Sequence, residues 1–562
     1  MKHYSDPLRD TLDHKFTHKL LNGSMFHGVS PPRDAIPMGI YYPRTAALGG
    51  CANHNAMIMM RPLDDDWNQI SNVSGDSSWK APKMRAYQQR FEDCQYASHG
   101  SPGHGYDGWL STNRAEPSIF MSDNKTYWML KAAGSLLNMA VGSAADLLAT
   151  LSRDLNNGTV EAGTERGLYN APLSMDRYKR SSPRDFLLAT QRRLLDAEGR
   201  NRQGGKIDIR LNCLATRIIF APGTTRAIGI EFLDGSHLYR ADLKSGEKTG
   251  VPGVAFARNE IILSGGAYNT PQLLMLSGVG APEALERFRI PQIVALPGVG
   301  QNLQDRIENS VVADVSAPWT VFEECSSGSG TADPCLLQWL TARDNTTKYA
   351  TNGRPIHIPL RSSVSENGYN DLVVTGRPGY FAGYFPGYSS VANRFPKSWT
   401  WPVLKAYTTN RGGLVSLRSA DPRDPPFINF HYFDEGSGNW TADLEATVQG
   451  MQFARQALAR YAAYTNSTVT ERLPGPRYKT HNQLREWVKY NSWGHHACCT
   501  SSIGRDGDPM AVLDGDFRVR GTDNLRVVDA SIFPRIPGYY IQSSIYTISE
   551  KAADVIIAQA EP

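Results

Sequence analysis

Residues 260–280, EIILSGGAYNTPQLLMLSGVG, decide the fold. The apolar run Ile261-Ile262-Leu263 enters a double glycine and reads as a strand. Asn269, Thr270 and Pro271 supply a helix start with proline in the first turn, and QLLMLSG runs to a glycine stop. A strand–glycine–helix junction offers free backbone N–H groups to a phosphate or a ring system. By geometry alone it is equally an ordinary turn of an α/β domain. Upstream, a helix-period segment spans about 128–152, weakened by Gly134 and Gly142, and a charged helix follows Ser-Ser-Pro at 181–183. Strand-like pieces follow at 207–211 (IDIRL), 215–220 (ATRIIF) and 227–233 (AIGIEFL).

Downstream the character changes and then returns. Residues 305–410 are aromatic and rich in Ser, Gly and Pro, with short alternating segments that suit an antiparallel sheet. A helix over about 441–462 places Leu444, Val448, Met451 and Leu458 on one stripe. LRVVDASIF (525–533) and a closing helix in SSIYTISEKAADVIIAQA (543–560) restore the α/β pattern. The expected architecture is one α/β domain completed from the C-terminus and interrupted by a β-rich domain.

Composition narrows the function. The chain has 562 residues, 41% hydrophobic and 20% charged, which excludes a wholly disordered protein. Lys plus Arg is 59 and Asp plus Glu 55, a net +4, which argues against nucleic acid as the main partner and offers no basic tail to a membrane. No apolar run approaches the roughly 18 residues of a spanning helix. The start, MKHYSDPLRD, carries no apolar h-region, so the expectation is no signal peptide and a cytoplasmic location, with secretion open if a segment precedes it. Seven cysteines are too few for a disulfide scaffold. Cys325 and Cys335 flank a Ser/Gly stretch that a disulfide could close, though spacing alone does not establish it.

Two further segments carry polar side chains in apolar surroundings. In YPRTAALGGCANHNAM (42–57), Gly49 and Gly50 let the backbone approach a planar ligand, and Asn53, His54 and Asn55 follow. In NSWGHHACCTSSIG (491–504), His495, His496, Cys498 and Cys499 suggest a metal nest, but adjacent ligands do not match the usual spaced pairs, so no metal is expected. A histidine here suits a general base instead. No G-x-S-x-G hydrolase elbow occurs. Tyr539, Tyr540 and Gln542 offer a second polar cluster for the same pocket.

In this order and wording, the segments resemble the glucose–methanol–choline (GMC) oxidoreductases, a family of FAD enzymes, and fungal members especially. One family signature matches YPRTAALGGCANHNAM and the other GAYNTPQLLMLSGVG. LPGVGQNLQDR (296–306) is similar to a third block, with Arg306 where histidine is usual, and 411–433 and 525–556 resemble the C-terminal block. The resemblance runs from about residue 40 to 557. It implies an FAD-binding, Rossmann-like α/β domain in 1–304 (N-type region about 40–282) and a substrate-binding domain on an antiparallel sheet in 305–490. Residues 491–562 return to the FAD domain (C-type region about 405–557).

The same resemblance implies an alcohol oxidase or dehydrogenase for a small or aromatic hydroxyl compound, with FAD as cofactor and a place in fungal specialised metabolism. His496 fits the spacing of the family's H-x-x-G-T-x-x-M-G pattern, with Cys499 for the first glycine and Ile503 for methionine, and is the implied general base; Tyr540 fills the slot of a second His or Asn. Gly49, Gly50, Cys51, Asn55, Ala56 and Ile58 are implied along the flavin and its phosphates, Ala215 near the adenine, and Asp529, Ala530 and Gln542 near the isoalloxazine. Family members open with a βαβ unit bearing G-x-G-x-x-G. This chain is expected to lack that fingerprint anywhere, GVGQNL (298–303) being the nearest string, and so to lack the family's first segment. The competing reading is a flavin-free, truncated pseudoenzyme.

Overall fold

The computed structural model describes residues 16–560 except 28–31, 33, 196–204, 243, 327–331, 386–387, 389–390, 392–393 and 434–437. The expected antiparallel sheet is present with five strands. Their order is Ile356–Leu360, Leu372–Pro378, Ser398–Lys405, Ile307–Asp314, Thr470–Leu473, every pair antiparallel. All eight residues of Ser398–Lys405 are buried, so the strand is covered on both faces. The helix Trp440–Thr465 packs across three of the strands, with Leu444, Val448, Met451 and Leu458 turned inward and almost fully buried. Burial of a side chain of this size stabilises by about 1.5–3 kcal/mol.

The other half is α/β. Ile261–Leu263 pairs in parallel with Leu525–Val527, joining segments 264 residues apart in register, Ile261 opposite Leu525. The helix Gly266–Leu276 follows the first of these strands, and Ile541–Gln559 closes the chain. An antiparallel meander, Cys213–Phe220, Ala227–Asp234 and Val251–Phe256, lies beside them. Among the described residues no helix is long and apolar enough to cross a membrane.

Four expectations are corrected and one strand is added. The helix expected to start at Asn269 starts at Gly266, so Pro271 lies inside it rather than in its first turn. IDIRL is not a strand; Leu211 stands 61% exposed and nothing pairs with the segment. Val251–Phe256 is a strand, hidden in the sequence because its apolar residues lie on an exposed face. The period over 128–152 splits into Asn124–Leu136 and Ala144–Leu151, the second opened by a Ser143–Asp146 capping box. Finally, GHGYDG at 103–108 does have the G-x-G-x-x-G spacing. It lies in the loop between Glu92–Cys94 and Leu110–Asn113, with no helix behind it, so it is no phosphate turn. A Cβ on Gly105 would meet the Gln89 carbonyl oxygen at 1.7 Å, and one on Gly108 the Phe91 backbone at 2.1 Å. These glycines serve close packing against the preceding helix. Cys325 and Cys335 do form a disulfide.

Candidate active site

The segment 492–500 runs antiparallel beside the start of the strand Ile307–Asp314, through bridges Gln304–Cys498 and Glu308–Trp493. That pairing sets His495 and His496 opposite Asp305 and Arg306. One Asp305 oxygen accepts from the backbone N–H of His496 and of Arg306, both at 2.8 Å. The other accepts from the Tyr42 and Tyr432 hydroxyls at 3.1 and 2.8 Å. Gly494 admits this carboxylate, since a Cβ there would lie 2.3 Å from it. Arg306, fully buried, donates to the Ala406 and Pro537 carbonyls. Burial brings its guanidinium down to about 10.

His496 is buried, and its Nδ1 has no hydrogen-bond partner. Burial, reinforced by His495 and by the cations Arg306, Arg44 and Arg354, holds its pKa well below the usual imidazole range. It is therefore neutral at physiological pH. Its ring meets Tyr540 edge-on at 5.7 Å. Burial pushes the Tyr540 phenol up, so the hydroxyl stays protonated; it is buried without a hydrogen bond of normal geometry, with Arg354 nearby.

The sequence reading missed His357. It lies on the strand Ile356–Leu360, 6.3 Å from the Tyr540 ring, and neither ring nitrogen has a partner. Burial, with Arg354, brings it down to about 3. The only signal was one imidazole in the apolar run RPIHIPL, a pattern that ordinarily reads as core. His357, Tyr540 and His496 thus converge from three elements.

The structure also shows where the other implied residues lie. Gly49 and Gly50 both take left-handed backbone angles, φ 87° and 57°, and a Cβ on Gly49 would press on Arg184 at 2.9 Å. Burial pushes the Cys51 thiol up, but His54 and Arg44 outweigh it and bring it down to about 6, so it is a thiolate at neutral pH. The Asn55 amide donates to Gln542, which donates to Ser174 at 2.9 Å, and Arg180 clamps the Ala52 and Asn55 carbonyls at 2.7 and 2.8 Å. Ala56 accepts from Asn352, and Ile58 is buried against Leu173.

Asp529 accepts from Gly266 N–H at 2.8 Å and Thr270 Oγ at 2.6 Å, tying the two parallel strand ends together. Ala530 is buried and accepts from Cys499 N–H. Ala215 is exposed on the meander, and no contact places it with this cluster. The Cys498 and Cys499 sulfurs are bonded to each other, and the metal-like grouping here is instead Glu308 with His495 and His496, His495 Nδ1 lying 3.0 Å from Glu308.

An FAD ring end fits these residues: partnerless buried imidazoles face a phenol, and Asn55 is tied to Gln542, two residues beyond that phenol. The dinucleotide end is different, because no G-x-G-x-x-G turn between a strand and a helix occurs among the described residues.

Two family models, both described as GMC oxidoreductase, match residues 38–308 and 408–549. The chain is 28% identical over 532 residues to the mitochondrial choline dehydrogenase of Homo sapiens, covering 92% of this chain and 77% of that one. It is 26% identical over 555 residues to pyranose dehydrogenase 3 of Leucoagaricus meleagris, covering 94% and 82%. Formate oxidase from Aspergillus oryzae RIB40 shares the fold at 20% identity and a TM-score of 0.74, over 94% of this chain and 87% of that one.

Proposed function

This chain belongs to the GMC oxidoreductase family, and from that premise we propose that it oxidises the CH–OH group of a small or aromatic alcohol to a carbonyl, with FAD as cofactor. Bound FAD supplies the two-electron acceptor. His496 takes the hydroxyl proton. Its neutrality at working pH and its Asp305-fixed backbone suit that role, and a positioned base of this kind contributes about 10²–10⁴ in rate. Tyr540, held protonated, donates to the substrate oxygen. His357, supplied by the sheet of the substrate-binding half, offers a neutral ring nitrogen to a further polar group on the substrate. Around them Gly49, Gly50, Asn55, Ala530 and Gln542 would hold the ring of the cofactor.

One observation carries this reading: a neutral imidazole buried without a partner, facing a protonated phenol. Relatives named for choline and pyranose support a hydroxylated substrate, and the fungal relatives support a fungal metabolic setting. In the test, purified protein carrying flavin is mixed anaerobically with a panel of alcohols. At least one should bleach it, and His496→Ala should slow bleaching by about 10²–10⁴ while the flavin stays bound. Unchanged bleaching in the variant sinks the assignment.

A second reading, a chain that holds FAD weakly or not at all, is favoured by the parallel pair. Ile261–Leu263 and Leu525–Val527 form a two-stranded sheet, and Ile262 is 44% exposed. A colourless, folded preparation that stays colourless with added FAD would favour it.

A further inference from the structure

Away from this corner, a second buried imidazole sits in the opposite surroundings. Glu92 and Cys94 lie two apart on one short strand and so face the same side; both are buried. His104, also buried, is brought to them by the glycine-rich loop whose Gly105 and Gly108 leave no room for a side chain. Donor atoms of Glu92, Cys94 and His104 all lie within 4.8 Å of one another. His104 Nδ1 is 3.1 Å from Glu92, and its Nε2 is 3.0 Å from Asp154. The second Glu92 oxygen accepts from Thr112 at 2.7 Å, which fixes the carboxylate.

We propose that Glu92, Cys94 and His104 bind one zinc ion. A thiolate, an imidazole and a carboxylate converging on one point are the donor set zinc prefers, at about 2.0–2.3 Å, and three donors leave one tetrahedral position for water. Asp154 completes the pattern: it accepts from the far nitrogen and orients the ring, as a carboxylate behind a zinc-bound histidine does. Zinc binds deprotonated donors, so its binding releases any proton on the ring nitrogen and the thiol to solvent. The ion ties the strand Glu92–Cys94 to the 95–109 loop, and it makes use of the GHG motif that carries no phosphate.

The full chain, stripped with chelator, reloaded with zinc and dialysed, should retain about one zinc per chain by mass spectrometry. Cys94→Ser should lower retention at least about tenfold, and Cys213→Ser should leave it unchanged. With cobalt in place of zinc, a thiolate-to-metal charge-transfer band should appear in the parent and be absent from Cys94→Ser. Asp154→Asn should weaken zinc binding about 10–100-fold; this variant decides the matter if Cys94→Ser does not fold. Folded parent retaining under about a tenth of an equivalent overturns the proposal. So does full retention in Cys94→Ser, unchanged affinity in Asp154→Asn, or loss of the metal with His496→Ala, which would move the site to Glu308, His495 and His496.

Discussion

The His496 corner and the parallel strand pair Ile261–Leu263/Leu525–Val527 belong to one chain, yet folding completes them to different degrees. At the corner, one buried carboxylate accepts four hydrogen bonds, and the imidazole beside it is buried. At the strand pair, three residues face three, and Ile262 looks outward 44% exposed. The position of His496 is therefore held by the protein's own hydrogen bonds. The sheet beneath the expected dinucleotide site lacks equivalent support among the described residues.

Asp305→Ala would break that contrast most severely. It strands two buried N–H groups and two hydroxyls, and unmade bonds of this kind cost about 1–3 kcal/mol each before relaxation. A loss of about 3 kcal/mol or more in denaturant unfolding is expected; an unchanged midpoint would show that the corner does not depend on the carboxylate.

Acid should sharpen the contrast next. Burial lowers His357 and His496 below their ordinary value, so between about pH 6.5 and their folded values the unfolded chain binds protons that the folded chain refuses. Stability is therefore lost as pH falls through that window. For His357, at about 3 when folded, the loss by pH 5 is about 2 kcal/mol. Unfolding measured across pH 5–7 should show this slope, and His357→Gln should remove its share.

The smallest effect belongs to the strand pair. Ile262→Thr should cost under about 0.5 kcal/mol, as at other exposed positions. A core-sized penalty would mean that something covers this strand in solution and would erase the difference.

Much of this was legible in the sequence. Glycine and the apolar run at 260–280 marked the strand–helix junction, though Pro271 falls inside the helix, and the 3.6-residue period over 441–462 marked the helix on the sheet. The antiparallel sheet of the middle region and the Cys325–Cys335 pairing were also within reach. IDIRL failed because an alternating run makes a strand only when a neighbour accepts its backbone. GHGYDG has the fingerprint's spacing, against the expectation that none occurs, but without a helix behind it that spacing makes no phosphate site.

What the sequence determined by itself was local: which segments are apolar with which period, where glycine relieves the backbone, and which words belong to the family. That His496 is neutral, that His357 joins it, and that His104 instead lies between carboxylates was decided by tertiary structure. An imidazole's protonation depends on the burial and charges around it, and apart from sequence neighbours such as His495 and Arg354 these come from residues tens to hundreds of positions away.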